Sequence, residues 1–184
     1  KHAFTFDAYY GFPDLNGMAL KNYGKNPTSV RSSQYSDYGG IYGVRMEFFI
    51  GNRISVGIDA NYSFSKLKWE KEIFEQDSIT QEVTQKWYNY ETTRSRLRIL
   101  GKFNYHILIT KHIDFYTGAG IGFNNLVENT KSDDPNMILS KPFFIPVEPR
   151  VDLGVRYYFS KNLGLGFEFG IGGPLCSISL CSKF

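Results

Sequence analysis

Two consecutive segments of the chain alternate strictly between apolar and polar residues, and this period of two constrains the fold most. In residues 148–159 one face carries Val151, Leu153, Val155, Tyr157 and Phe159. The other face of the same run carries charged residues, glycine and tyrosine. A helix would mix the two sets, whereas a strand separates them. Residues 163–172 repeat the pattern after the polar turn 160–162, so the two runs predict an antiparallel hairpin.

The same alternation recurs in six further segments, which brings the number of predicted strands to eight. These segments are residues 4–12, 42–50, 54–64, 96–107, 113–123 and 177–184. The connections 51–53, 110–112 and 160–162 are tight, whereas 13–37, 66–90 and 126–146 are long and polar; 172–174 is the one exception in the long series. Short turns on one rim and long loops on the other are typical of outer-membrane barrels. The prediction is therefore all-β, with residues 1–184 forming one eight-stranded antiparallel up-and-down transmembrane β-barrel of the porin-like kind.

Composition excludes several other classes of protein. No stretch reaches the roughly 18 to 20 apolar residues of a membrane helix, although alternating strands can cross a membrane at the observed mean hydropathy of −0.30. A net charge of +3, from 21 basic and 18 acidic residues, argues against a nucleic-acid partner. Two cysteines do not make a disulfide framework. No basic and apolar leader opens the sequence, so either the protein is not exported or, as we expect for an outer-membrane barrel, its signal peptide has already been removed.

The polar faces of the strands are expected to point into the barrel. They are rich in glycine, which a narrow interior needs beside large side chains. The apolar faces carry aromatic residues at their ends, as lipid-facing strands do. Seven acidic and seven basic residues balance on the polar faces, which favours a paired network. The alternative is a soluble barrel or sandwich whose charged face meets solvent.

Eight strands leave an interior that side chains just fill, so the sequence predicts a plugged polar lumen and argues against transport. We expect the charges to stabilise the barrel core, and a proton or ion relay is the alternative. The predicted lumen network comprises Asp7, Arg45, Glu47, Asp59, Arg98, Lys102, Asp114, Arg150, Asp152, Arg156 and Glu168.

The sequence offers no catalytic site that we can identify, and we expect no metal and no cofactor. His106 is predicted to face the interior near the short turns and to pair with Asp114 or a neighbour. No histidine has a serine two residues away, as a His-x-Ser deacylase requires. Cys176 and Cys181 point to opposite faces of one strand and cannot bridge each other.

In the middle hairpin, the alternation of apolar and polar residues continues over more residues than a strand needs to cross a membrane. A transmembrane strand needs about 9 to 11 residues, and the segments 54–75 and 81–107 are much longer. The hairpin is therefore predicted to protrude, and its edge offers a place for a strand of another protein. A merely solvated extension is an equal alternative. The candidate partner-binding residues are Trp69, Ile73, Phe74, Val83 and Trp87.

The segment 151–170, VDLGVRYYFSKNLGLGFEFG, resembles the penultimate hairpin of the small outer-membrane β-barrel proteins common in Bacteroidota, an OmpA/OmpX-like eight-stranded family. The final Lys183-Phe184 is similar to the end of that family's last strand. The resemblance implies a cell outer membrane location, contact with its lipids, and Phe184 as the aromatic signal that the barrel-assembly machinery reads. Cys176, Cys181 and Ser182 depart from the pattern and leave open whether a partner covers the last strand.

The function predicted from the sequence is that of a non-enzymatic integral outer-membrane barrel. It would act as a structural scaffold, or as an accessory subunit or surface-binding protein through its extracellular loops. A larger outer-membrane protein or a lipoprotein complex is the expected kind of partner. The alternatives are a lipid-modifying outer-membrane enzyme and a narrow channel.

Overall fold

The computed structural model describes residues 4–13, 30–38, 40–76, 83–135 and 146–184. Nine strands run through these residues, and no helix among them is long and apolar enough to cross a membrane. The strands are β1 (Phe4–Phe12), β2 (Val30–Tyr38), β3 (Ile41–Phe49), β4 (Ile54–Gln76), β5 (Val83–Ile109), β6 (Ile113–Ser132), β7 (Val147–Tyr158), β8 (Leu163–Ile171) and β9 (Cys176–Lys183).

Eight of the strands close into an antiparallel barrel, as the sequence predicted. The order around the wall is β1, β3, β4, β5, β6, β7, β8 and β9. The first and last strands complete the circle, with pairs running from Thr5↔Lys183 to Phe12↔Cys176. Closure leaves no open edge in the barrel wall, because each barrel strand is hydrogen bonded to a neighbouring strand on both sides.

The ninth strand, β2, corrects the interpretation of residues 13–37 as one long polar loop. β3 pairs with β4 only as far as Tyr42↔Tyr62. Beyond Tyr62, towards the C-terminal end of β4, the neighbouring strand is β2, with pairs from Tyr38↔Ser65 to Val30↔Lys71. The C-terminal part of β4 extends past the end of β3, so its backbone groups on that edge need other hydrogen-bond partners, and β2 supplies them. Its sequence has no apolar face, so alternation could not reveal it.

The strands differ greatly in length, and this gives the barrel two unlike rims. We call the end with the turns 50–53, 110–112 and 159–162 the lower rim and the opposite end the upper rim. β4, β5 and β6 have 23, 27 and 20 residues, whereas β1, β3, β8 and β9 have eight or nine. Residues 66–76 and 83–93 therefore rise above the upper rim, and we call this hairpin the extension. The predicted protruding hairpin is confirmed.

Burial in the barrel is the inverse of burial in a soluble protein. Among the described residues, 23 buried side chains are polar or charged and only seven are hydrophobic. The apolar faces point outward and stay open, as in Ile171, which is 74% exposed, and Val151, which is 62% exposed. The soluble alternative required the apolar faces to point inward and is wrong.

Glycines on the inward faces make room for large side chains, as the sequence analysis proposed. A side-chain carbon on Gly154 would lie 2.3 Å from the ring of Tyr116. One on Gly43 would lie 2.2 Å from the ring of Tyr9. Both tyrosines are buried, so each of these two glycines makes room for the ring of the tyrosine paired with it on the next strand.

Candidate functional site

The structure places the whole predicted lumen network on the inward face of the barrel. Seven of the eight barrel strands contribute to it, and every member is almost completely buried. The residues buried on this face are Asp7, Arg45, Glu47, Asp59, Arg98, Lys102, Asp114, Arg150, Asp152, Arg156 and Glu168. Arg98 is paired with Glu148, outside this set.

Arg156 on β7 is the centre of the lower half of this network. Its guanidinium group reaches Asp7 at 2.8 Å and Asp114 at 3.2 Å, and it also bonds Glu47. Its carbon Cζ lies 4.3 Å from the centre of the Tyr116 ring, where a cation–π contact adds to the ion pairs. One arginine thus joins carboxylates of three other strands.

Arg45 on β3 plays the same part higher in the barrel. It bonds Glu168 at 2.9 Å and Asp59 at 3.2 Å, and it shares Asp7 with Arg156. The Tyr9 hydroxyl donates to Asp59 at 2.6 Å. Arg45 on β3 and Glu168 on β8 lie on strands that are not neighbours in the barrel wall. The ion pair between them therefore crosses the interior and fills part of it.

A third group of ion pairs surrounds Glu168 from the other side. Lys102 lies 2.8 Å from Asp152 and 3.1 Å from Glu168. Arg150 bonds Asp152 at 3.0 Å and Glu168 at 2.6 Å. The three groups share carboxylates, so the ion pairs form one continuous network that fills the interior at these levels and plugs it.

The lower rim holds an arrangement that sequence reasoning found only in part. His106 bonds Asp114 through Nδ1 at 2.7 Å, as predicted, and Nε2 lies 3.0 Å from the hydroxyl of Ser55. These distances fit a nucleophile, base and acid triad. The Ser55 hydroxyl also donates to Glu47 at 3.3 Å, and Ser55 and His106 have no exposed surface. Ser55 is 51 positions from His106, so only the strand register brings them together.

The extension carries an aromatic pair and a cluster of charges above the barrel. The rings of Trp69 and Tyr90 stack at 5.4 Å with an angle of 9° between them. The Tyr90 hydroxyl donates to Asp134 at 2.6 Å, and desolvation together with this bond raises the pKa of Tyr90 to about 12. Hydrogen bonds from Lys66 and Lys68 lower the pKa of Glu91. The stacked pair borders an open cavity of about 540 Å³ lined mainly by polar residues.

The five candidate partner-binding residues divide between the two faces of the extension. Phe74 and Val83 are 66% and 62% exposed on the outward face, and Trp87, 37% exposed, lies beside them through its register with Glu72. Trp69 lies on the opposite face, where it contacts Tyr90. For Ile73 the structure describes only the backbone pairing with Lys86.

The chain terminus and the cysteines lie at the seam between β1 and β9. The backbone N–H of Phe184 donates to the carbonyl oxygen of Phe4 at 2.9 Å, and its side chain is 64% exposed. Cys181 is buried on the inward face, and Cys176 faces outward on the same strand. Both thiols are free, as the five-residue spacing predicted.

Comparisons with known proteins return structural likeness only. No family model and no curated protein matches the chain. The N-terminal β-barrel domain of OprF from Pseudomonas aeruginosa is 11% identical over 100% of this chain and 98% of that chain, with a TM-score of 0.48. Ail, the attachment invasion locus protein of Yersinia pestis, is 6% identical over 100% and 99%, with a TM-score of 0.34. TM-scores this low carry no weight, so the barrel assignment rests on the strand pairing of this chain.

Proposed function

We propose that the protein is an integral outer-membrane barrel without catalytic activity, which acts as a structural scaffold or as a surface-binding subunit through its extension. The inverted burial of the barrel carries this proposal. A wall that exposes Ile171, Val151 and Phe167 to the outside while it seals arginines inside is suited to lipid and unsuited to water.

The height of the apolar wall supports a membrane location. The short barrel strands β1, β3 and β8 have nine residues each, close to the length that crosses a bilayer. Exposed Tyr10 and Tyr42 lie towards the upper rim, and Tyr157 and Phe159 lie at the lower rim. Aromatic residues at both ends of the belt match the two interfaces of a membrane.

We also propose contacts with the barrel-assembly machinery and with a partner protein. Phe184 is exposed beside the β1–β9 seam, where the barrel-assembly machinery could read it. We propose that the chain belongs to the Bacteroidota-type barrels that segment 151–170 resembles. The exposed group Phe74, Val83 and Trp87 fits an apolar spot on a larger outer-membrane protein or a lipoprotein. We expect no nucleic-acid partner.

Co-purification tests the role of the extension. Tagged protein extracted from native outer membranes in mild detergent should carry a stoichiometric partner, identified by mass spectrometry. The double variant Phe74→Ser, Val83→Ser should retain about tenfold less of it, because an exposed apolar contact is lost. Val127→Ser, an exposed outward position on β6, is the matched control.

All three proteins should migrate differently on a gel when boiled and unboiled, which shows that the barrel is folded. Equal recovery of the partner with the double variant would remove the extension as a binding surface. A barrel that purifies alone would leave the structural role as the remaining part of the proposal.

The Ser55–His106–Asp114 contacts favour one second candidate, a hydrolase acting on lipid. Ser55 has no exposed surface, so a substrate carbonyl cannot reach its hydroxyl oxygen in this state. The hydroxyl has one proton and donates it to Glu47, so it does not also donate to His106 as a triad requires. We therefore expect no labelling of Ser55 by a fluorophosphonate probe in folded protein. Labelling that disappears in both Ser55→Ala and His106→Ala would establish the enzyme instead. Steady conductance in planar bilayers would support the other alternative, a narrow channel.

A further inference from the structure

Two arginines in the upper part of the barrel keep donors that the described residues do not satisfy. Arg150 uses Nε for Asp152 and Nη2 for Glu168, which leaves Nη1 without a hydrogen bond. Arg98 has neither Nε nor Nη1 hydrogen bonded. Both side chains are at most 2% exposed, so water outside the barrel does not solvate these donors. A buried charged donor without a hydrogen bond lowers the stability of the folded protein, so each of these donors needs an acceptor.

The carboxylate nearest to Arg98 is already occupied. Nε of Arg98 lies 3.3 Å from Oε2 of Glu148 without forming a hydrogen bond. The same oxygen accepts from Arg96 at 2.7 Å and from Asn124 at 2.7 Å. Arg96 and Arg98 therefore lie against the same carboxylate, and the oxygen nearest to Arg98 already has two donors.

The two unsatisfied guanidinium groups also approach each other. A side-chain carbon on Gly173 would lie 1.7 Å from Nη1 of Arg150 and 3.4 Å from Nη1 of Arg98. Both nitrogens thus border the same point, directly under the link 172–175 between β8 and β9. Two like charges held this close in a buried place repel each other unless negative charge lies between them.

We propose that Arg98 and Arg150 form a binding site for a small oxyanion, such as inorganic phosphate or sulfate, beneath residues 172–175. A guanidinium group presents planar N–H donors that match the oxygens of such an ion. The barrel wall separates both arginines from the lipid, so the ion is a free one that enters from the upper rim rather than a lipid head group. Gly173 has no side chain, and the guanidinium group of Arg150 takes the space that a side-chain carbon there would fill.

Thermal unfolding of the detergent-solubilised protein tests this site. Sodium phosphate, compared with sodium gluconate at equal ionic strength, should raise the unfolding midpoint saturably, by about 5 °C at roughly a hundredfold excess over Kd. The rise should be lost in Arg98→Gln. It should persist in Arg94→Gln, because Arg94 is paired with Glu128 on β6 and lies outside the site.

No saturable rise in the unsubstituted protein, or an equal rise in Arg98→Gln, would overturn the proposal. A second measurement does not depend on the folding of any variant. Crystals of the unsubstituted protein soaked in selenate should show an anomalous peak between Nη1 of Arg98 and Nη1 of Arg150. Soaked crystals without a peak there would also refute the site.

Discussion

Replacing Arg156 with methionine is expected to lower the free energy of unfolding by about 3–5 kcal/mol, because buried carboxylates lose their shared cation. Asp7, Glu47 and Asp114 all bond this guanidinium group, and all three stay buried when it is gone. Urea unfolding in lipid vesicles, followed by circular dichroism and by the fraction that migrates as the unheated folded band, measures the loss.

The matched control for this variant is Arg94→Met. Arg94 forms an equally direct ion pair with Glu128, but both side chains are 20% exposed, so water can solvate what remains. Arg94→Met should lower the free energy of unfolding by less than about 1 kcal/mol. An Arg156→Met protein as stable as Arg94→Met would mean that the lumen network does not hold the barrel together.

Placing a charge on the outward face of β7 should destabilise the barrel almost as strongly. Leu153 is 47% exposed and pairs with Thr117 and Phe169, midway between the rims. An arginine at the midplane of a bilayer costs about 2–4 kcal/mol. Leu153→Arg in lipid vesicles should therefore unfold at a markedly lower urea concentration than the unsubstituted protein.

Val83→Arg is the control, because the same residue is introduced at an exposed position that the extension lifts away from the membrane. We expect it to change stability by less than about 0.5 kcal/mol. If Leu153→Arg does not lower the free energy of unfolding, or lowers it no more than Val83→Arg does, this face does not contact lipid.

The alternation of the sequence predicts the orientation of each barrel residue, because side chains on a strand change face at every position. Arg45, Arg150 and Arg156 are found on the inward face for this reason. Gly173 leaves room for the guanidinium group of Arg150. The closed eight-stranded wall follows from the number of such segments and from the alternation of short and long connections. The length of segments 54–75 and 81–107 predicted the extension.

What the sequence could not provide is the stagger between strands. Charge balance predicts that Arg156 has partners, but only the register shows that they are Asp7, Glu47 and Asp114. The contact between Ser55 and His106 has the same origin. β2 was missed because it pairs through its backbone and has no apolar face to identify it.

Spin labels on the outward faces test the central claim, an apolar wall that meets lipid. In a Cys176→Ser, Cys181→Ser background, nitroxides at positions 151, 153 and 155 should collide readily with dissolved oxygen and rarely with a water-soluble nickel chelate. Labels at positions 74 and 83 on the extension should show the reverse. If the labels on β7 meet the nickel chelate as often as those on the extension, the wall faces water and the membrane barrel is wrong.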